Sequence, residues 1–192
     1  MLRRALAAAL ALVAVVVGVR GAEGPAPGAV PVVVAARELV PGSTVRVADV
    51  EVRGWPRDLV PAGALTEPAQ LDGRVLAAAA GRGEVLTGLR LVGPELAMLA
   101  TGRTDATSVP IRLADGDVAG LLSPGRAVDV VTLGARSDQP TVVAAAAVVL
   151  TVLPSDSKSP GHGRVVVVAV PRAVASRLAA ATLGQDVAVT LR

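Results

Sequence analysis

The chain has almost no aromatic side chains, and this limits the kind of core that it can build. It contains no Phe, no Tyr and a single Trp, Trp55, although hydrophobic residues make up 52% of its 192 residues. The apolar content is therefore mainly Ala and Val. Together with 20 Gly and 14 Pro, it predicts short strands joined by many turns. Binding sites for single-stranded nucleic acid depend on stacked aromatics, so the sequence argues against that class of protein.

The reactive and basic residues exclude further classes. Because there is no Cys, disulfides, thiolate zinc sites, iron–sulfur clusters, cysteine nucleophiles and a lipid-attachment cysteine are all ruled out. A single His, His162, rules out a multi-histidine metal site. The 19 basic residues are scattered along the chain, and 16 acidic residues reduce the net charge to +3. A duplex-binding surface needs a concentrated basic stripe, so we expect no nucleic-acid partner.

The N-terminus has the pattern of a membrane anchor or a signal segment. Basic residues at positions 3 and 4 precede an uncharged apolar run over 5–19, which Arg20 ends. The run is shorter than the roughly 20 residues of a typical membrane span and fits a signal-peptide core. However, Arg20 lies where a small-residue cleavage site would be expected. We predict for residues 1–20 either an uncleaved single-pass anchor or a cleaved signal, followed by a flexible linker over 21–30.

Charge sets the expected orientation of this segment. The basic residues before the apolar run outweigh Arg20, which has Glu23 close by. The positive-inside rule then places the N-terminus in the cytoplasm and the rest of the chain outside it. We therefore expect a cell-membrane protein with extracytoplasmic domains, or an exported protein if the segment is cleaved.

The body of the chain divides into two β-rich segments, 31–93 and 107–192, with a linker over 94–106. In the first segment, Pro41-Gly42 predicts a type II turn. Strands are expected at 32–36, 44–47 and 71–77.

The second segment has clearer patterns. Its Val-rich or alternating stretches predict strands, and the Val and Thr content of 141–153 favours strands over a helix there. A helix is predicted from Pro171 to Leu183, with Pro171 in its first turn, Gly184 as its cap and an apolar face of Val174, Leu178 and Ala181. A polar loop is expected over 154–164. The predicted strands are 107–113, 126–133, 141–153, 165–170 and 186–191.

No grouping of residues predicts catalysis. His162 lies in a polar loop, and a catalytic His is usually oriented by a partner. Asp115-Gly116-Asp117 lacks the acidic spacing of a calcium loop and is interpreted as a turn. Gly81-Arg82-Gly83 lacks the strand–loop–helix context of a phosphate site. We expect Asp129 to pair with an arginine in a structural role. The sequence thus assigns no catalytic, cofactor-binding or metal residues and no cofactor, and it favours binding or assembly over enzymatic activity.

Residues 32–91 resemble a SAF domain. The matching blocks are VVVAARELVPGSTVRVADVEV, then VPAGAL, then LDGRVLAAAAGRGEVLTGLRL. The resemblance implies a compact β-clip fold. SAF domains occur in sialic acid synthases, sugar-acid dehydratases, flagellar P-ring chaperones and pilus assembly proteins.

Residues 107–192 resemble the C-terminal part of the CpaB/RcpC family of Flp (tight-adherence) pilus assembly proteins. The matching blocks are VPIRLADGDVAGLLSPGRAVDVVTL and VVVVAVPRAVASRLAAATLGQDVAVTLR. The chain is short for that family. The resemblance implies a mainly β protein: a membrane or signal helix, a SAF β-clip domain and a small β-rich domain with one C-terminal helix. It makes eight positions shape-determining: Pro41, Gly42, Gly73, Arg74, Gly120, Pro124, Gly125 and Asp129.

The function implied is a non-enzymatic, membrane-anchored assembly factor for a Flp-type pilus or a related secretion system. Its expected partners are other assembly proteins, the membrane through residues 1–20, and a possible second copy of itself. Two alternatives stay open. One is an exported chaperone of the flagellar P-ring type. The other is a carbohydrate-binding SAF module, for which Trp55 is the only aromatic residue available.

Overall fold

A computed structural model of the chain describes residues 28–134, 137–154 and 163–192, and for 134, 137 and 138 it describes the backbone alone. The segment predicted as an anchor or signal and the loop residue His162 lie outside these ranges. Within them, no helix combines the length and the apolar character needed to cross a membrane. The described part is mainly β, as predicted, with three α-helices.

The first unit is a small β structure closed mostly by single bridges. Strands β1 (Val30–Ala35) and β2 (Val50–Trp55) pair antiparallel, with Val30 opposite Trp55 and Ala35 opposite Val50. The remaining pairing consists of isolated bridges, among them Leu39 to Ala80 and Leu76 to Leu91. Short 3₁₀ turns connect these bridges. The aliphatic core includes Val33, Leu39, Val45, Leu71, Leu76, Leu86 and Leu91.

Two strand predictions in this unit are wrong. In the stretch 44–47, only Thr44 forms a bridge, to Val75. The chain then turns into a 3₁₀ helix, Val47–Asp49, because the Asp49 carboxylate accepts the Arg46 backbone N–H at 3.0 Å. The stretch 71–77 likewise forms only single bridges. Strand β2, which the sequence did not indicate, supplies the partner for β1.

The second unit is a five-stranded antiparallel sheet in the order β3-β6-β5-β4-β7. Its segments agree with the predicted strands, and the long Ala/Val run forms one strand. The bounds are β3 Ala106–Arg112, β4 Ala127–Gly134, β5 Ser137–Val152, β6 Val165–Pro171 and β7 Val187–Leu191. The helices are α1 Pro94–Thr101, α2 Gly116–Gly120 and α3 Arg172–Gly184.

Helix α3 covers one face of the sheet. Leu178 is fully buried, and Val174 and Ala181 pack against the same core, so the predicted apolar face is confirmed. Burying a leucine side chain contributes roughly 1.5–3 kcal/mol, which makes this face the main anchor of the helix. Pro171 precedes the helix as its N-cap instead of opening its first turn, and Gly184 is its last residue instead of its cap.

Helix α1 lies in the predicted linker and packs on the opposite face of the sheet. Its Ala97 is fully buried in a cluster with Leu150 of β5 and Val167 of β6. The Ser108 hydroxyl of β3 donates to the Gly93 carbonyl at 3.1 Å, just before the helix. The segment between the two units is therefore packed onto the sheet. The Gly42 turn also touches the end of β5, so the two units are in direct contact.

Candidate functional site

Strand β5 is irregular where it passes β4. Val142 pairs with Val131 and Ala144 with Val130, so Val143 is an extra residue with no counterpart on β4. A second shift comes next, because Ala147 pairs with Val128. Each shift is a β-bulge, which bends a strand and increases its twist. The first half of β5 still pairs with β4, but in a shifted register.

A carboxylate holds the second bulge. Ala146 has a positive φ of 51°, and its backbone N–H donates to Asp129 Oδ1 at 2.7 Å. The same oxygen lies 2.9 Å from Arg192 Nε, and the Asp129 side chain is only 20% exposed. The Ala146 hydrogen bond lowers the pKa of Asp129, burial opposes this by a smaller amount, and the Arg192 guanidinium lowers the pKa further. The pairing of Asp129 with an arginine is thus found, in a structural role.

An arginine from α3 holds the first bulge. Arg177 Nη2 donates to the carbonyl oxygen of Val143 at 2.9 Å. A guanidinium has five N–H donors in a planar fork, so one bond to Val143 leaves most of its capacity unused. Among the carboxylates whose side chains the structure describes, none forms an ion pair with Arg177.

A cleft of about 470 Å³ lies between α3 and this half of β5. At its far end the Thr132 hydroxyl lies 2.8 Å from Gln185 Oε1 and 3.0 Å from the Asp186 carbonyl oxygen. These contacts fix the end of the helix to β4. The cleft is lined by Thr132, Thr141, Val142, Val143, Arg177, Ala180, Ala181, Gly184 and Gln185.

The strand wall of the cleft is an open sheet edge. Strand β6 pairs with β5 only from Val148 to Val152. In the part of the chain that the structure describes, no strand pairs with Thr141–Ala147 on the side away from β4. Helix α3, which covers one face of the sheet, reaches this edge through Arg177, and the cleft lies between them.

The lining is mostly uncharged. Among the nine described residues that line the cleft, Arg177 is charged and the others are small, aliphatic or neutral polar. Elsewhere in the described ranges, no group of three metal-ligating side chains occurs. The cleft can therefore bind a ligand through shape, hydrogen bonds and one positive charge.

The shape-determining residues predicted from sequence do not line this cleft. Asp129 is the nearest in function, because it binds the bulge of β5 at Ala146. Gly42 and Gly125 have φ of 76° and 84°, and Ser43 N and Arg126 N close hydrogen bonds across the two turns. The first of these is the predicted type II turn, and the second has the same left-handed glycine. The remaining positions shape turns and helix ends: Gly73, Pro41 and Pro124 lie in turns, Gly120 ends α2, and Arg74 donates to the Val92 carbonyl.

The other motifs that the sequence suggested are structural where they are described. Asp115 caps α2 by accepting the Asp117 N–H at 2.8 Å, so the predicted turn is a helix start. In the Gly81–Gly83 turn, the Gly81 N–H donates to Glu84 Oε2 at 3.0 Å and is not free for a phosphate. Trp55 lies half-buried at the end of β2.

The cleft itself was missed by sequence reasoning. Arg177 had the appearance of a solvated residue on the polar side of a helix. The bulges that open β5 carry no Gly or Pro signal, because they fall within a run of Val and Ala. The only indication was the length of that run, which exceeds an ordinary strand of about 5–6 residues.

Comparison with known proteins identifies one part of the chain. Residues 30–92 match the SAF domain family, so the predicted SAF domain is found there. No curated protein and no solved structure matches the chain. The resemblance of residues 107–192 to CpaB/RcpC proteins therefore stays a prediction.

Proposed function

We propose that this chain is a non-enzymatic assembly factor for a Flp-type pilus or a related secretion system, anchored in the cell membrane by residues 1–20. The observation that carries the proposal is the combination of a SAF domain at 30–92 with a packed β-rich unit that has an open cleft. The order of sequence blocks in 107–192 supports the pilus assignment.

The way the two units meet suits an assembly role. The Gly42 turn of the first unit touches the end of β5, and α1 packs on β5 and β6. The SAF domain is therefore connected to the same strand that forms one wall of the cleft. An adaptor that holds partners in a fixed geometry needs such a connection between its binding surfaces.

The direct test is a clean deletion in the bacterium that carries the gene, complemented with the full-length chain. We expect surface Flp pili to be lost while pilin is retained in the cell, because assembly and not pilin synthesis is affected. Normal piliation in the deletion strain would contradict the proposal. Complementation with a chain lacking residues 1–20 tests the anchor, and it should fail to restore pili.

The same deletion strain distinguishes the proposed function from one alternative. A SAF domain is also compatible with an exported chaperone of the flagellar P-ring type, and that function predicts lost swimming motility with normal pili. A carbohydrate-binding module has less support, because sugar sites commonly use aromatic side chains and the lining of the cleft has none. The unique Trp55 lies in the first unit, at the end of β2.

A further inference from the structure

We infer that the cleft between α3 and β5, here called the α3–β5 cleft, binds an extended peptide segment of a partner protein that carries a carboxylate. The segment adds as a strand to the open edge of β5 beside Thr141 and Val142, next to the Val143 carbonyl that Arg177 already occupies. Its carboxylate pairs with Arg177. This inference rests on the proposed assembly function and specifies the kind of partner that the protein recognises.

The open edge of β5 supplies the first argument. A strand edge presents backbone N–H and C=O groups that can pair with another chain, and proteins use this to bind extended peptides. In the described ranges, Thr141 and Val142 of β5 pair with β4 on one side, and no strand pairs with them on the other. Helix α3 stands off from this edge and leaves about 470 Å³ between them. That volume lies within the range of about 300–1,000 Å³ typical of ligand sites.

The position of Arg177 supplies the second argument. Its bond to the Val143 carbonyl bridges α3 and β5, so it closes one end of the cleft. The rest of the cleft extends from there toward Thr141 and Gly184. A partner strand that enters along Thr141 meets the guanidinium at its end. Because the lining has no acidic residue, a carboxylate from the partner would complete the charge pairing.

The size of the lining residues supplies the third argument. Val142, Ala180 and Ala181 form low apolar walls on opposite sides of the cleft, and Val142 is 53% exposed. Such walls fit small or β-branched side chains at alternate positions of a strand, since alternate residues point to the same face. The carboxylate comes from an acidic side chain or from the C-terminus of the partner, and both would bind Arg177 in the same way.

The test uses full-length protein and two displayed libraries of random peptides, one with free C-termini and one fused at both ends. We expect the wild-type chain to enrich peptides with small β-branched residues next to a carboxylate. Enrichment in the fused library identifies an acidic side chain, whereas enrichment confined to the other library identifies a C-terminus. No enrichment in either library would overturn the inference.

Two variants decide whether the peptides bind in the α3–β5 cleft. Arg177→Glu should reverse the preference, so that basic peptides replace acidic ones. Ala180→Glu places a bulky acid at an exposed helix position and leaves the Arg177 bond intact. It should lower the affinity for a selected acidic peptide by about tenfold or more. Arg82→Gln, a charge change in an exposed turn of the first unit, is the matched control and should bind like the wild type.

The urea midpoint of each variant shows whether it is folded. If Arg177→Glu does not fold, Ala180→Glu alone decides the question. Unchanged peptide selection in a folded Ala180→Glu variant would overturn the inference. So would a change in its oligomeric state without peptide enrichment, because the cleft would then bind a second copy of the chain. Since these experiments use purified protein, they can fail while the deletion strain still loses its pili, and the two proposals are tested separately.

Discussion

Replacing Gly42 with Ala should destabilise the protein more than the same change at Gly125. Both glycines are the third residue of a Pro-Gly turn, with φ of 76° and 84°. An added Cβ at Gly42 would lie 2.7 Å from Pro154 Cδ and 2.9 Å from both the Leu153 Cα and the Val152 carbonyl oxygen. Two of these are backbone atoms, which cannot move aside as a flexible side chain can. At Gly125, no atom lies within 4 Å of the added Cβ.

The two costs can therefore be separated. A left-handed conformation costs a residue with a Cβ roughly 1–2 kcal/mol relative to Gly, and both variants incur this cost. Overpacking adds about 1–3 kcal/mol, and only Gly42→Ala incurs it. We expect a loss in the free energy of unfolding of about 1–2 kcal/mol for Gly125→Ala and about 2–5 kcal/mol for Gly42→Ala.

Urea unfolding of the full-length chain, followed by circular dichroism and by the fluorescence of Trp55, measures both values. Trp55 reports on the first unit, because it ends β2. Equal losses in the two variants would refute the reasoning, because they would mean that the Gly42 turn does not touch the end of β5. A loss that is seen by Trp55 fluorescence alone would mean that the two units unfold independently.

Three further predictions concern polar contacts. Asp129→Ala should lower the melting temperature at neutral pH by releasing the Ala146 N–H. The pKa of Asp129 is lowered in the folded state. The difference in melting temperature between wild type and variant should therefore persist above about pH 4 and shrink as the pH falls through the pKa of the folded state. A difference that stays constant down to about pH 2 would contradict this. Asp49→Ala should lower the free energy of unfolding, measured in urea, by about 0.5–2 kcal/mol, since it removes the carboxylate that accepts the Arg46 N–H; an unchanged free energy would contradict this capping role. Thr132→Val, which keeps the shape but removes the hydroxyl, should lower the free energy of unfolding by about 1–3 kcal/mol and should reduce peptide binding in the α3–β5 cleft.

Local signals in the sequence were sufficient for several features. The Pro-Gly turns form as predicted, because proline presets one φ angle and glycine accepts the left-handed one. The position of α3 is explained by its apolar spacing, and Leu178 is buried as that spacing requires. The strands of the second unit correspond to runs of Val, which tolerate burial on both faces of a covered sheet.

Features that depend on a single side chain binding one backbone group could not be predicted in this way. The stretch 44–47 alternates like a strand, but a carboxylate three residues beyond Arg46 captures the backbone N–H and turns the chain. The bulges of β5 depend on Asp129 and Arg177, which come from other elements and bind single backbone groups. Since neither contact leaves a mark in the run of Val and Ala, the cleft that they open is visible only in the folded chain.

The two Pro-Gly turns show the limit of such local reasoning. The stretches 39–50 and 121–133 have similar sequences, and each turn closes with a hydrogen bond across its four residues. After Gly125 the chain forms β4, an eight-residue strand, whereas after Gly42 it forms a single bridge and a 3₁₀ turn. The turn therefore sets the direction of the chain, and the structure of the next segment depends on whether a partner strand is available. Strand β4 has β5 and β7 beside it, whereas Gly42 faces the end of a strand in the other unit, so the same local structure serves as a strand start in one case and as a contact between units in the other.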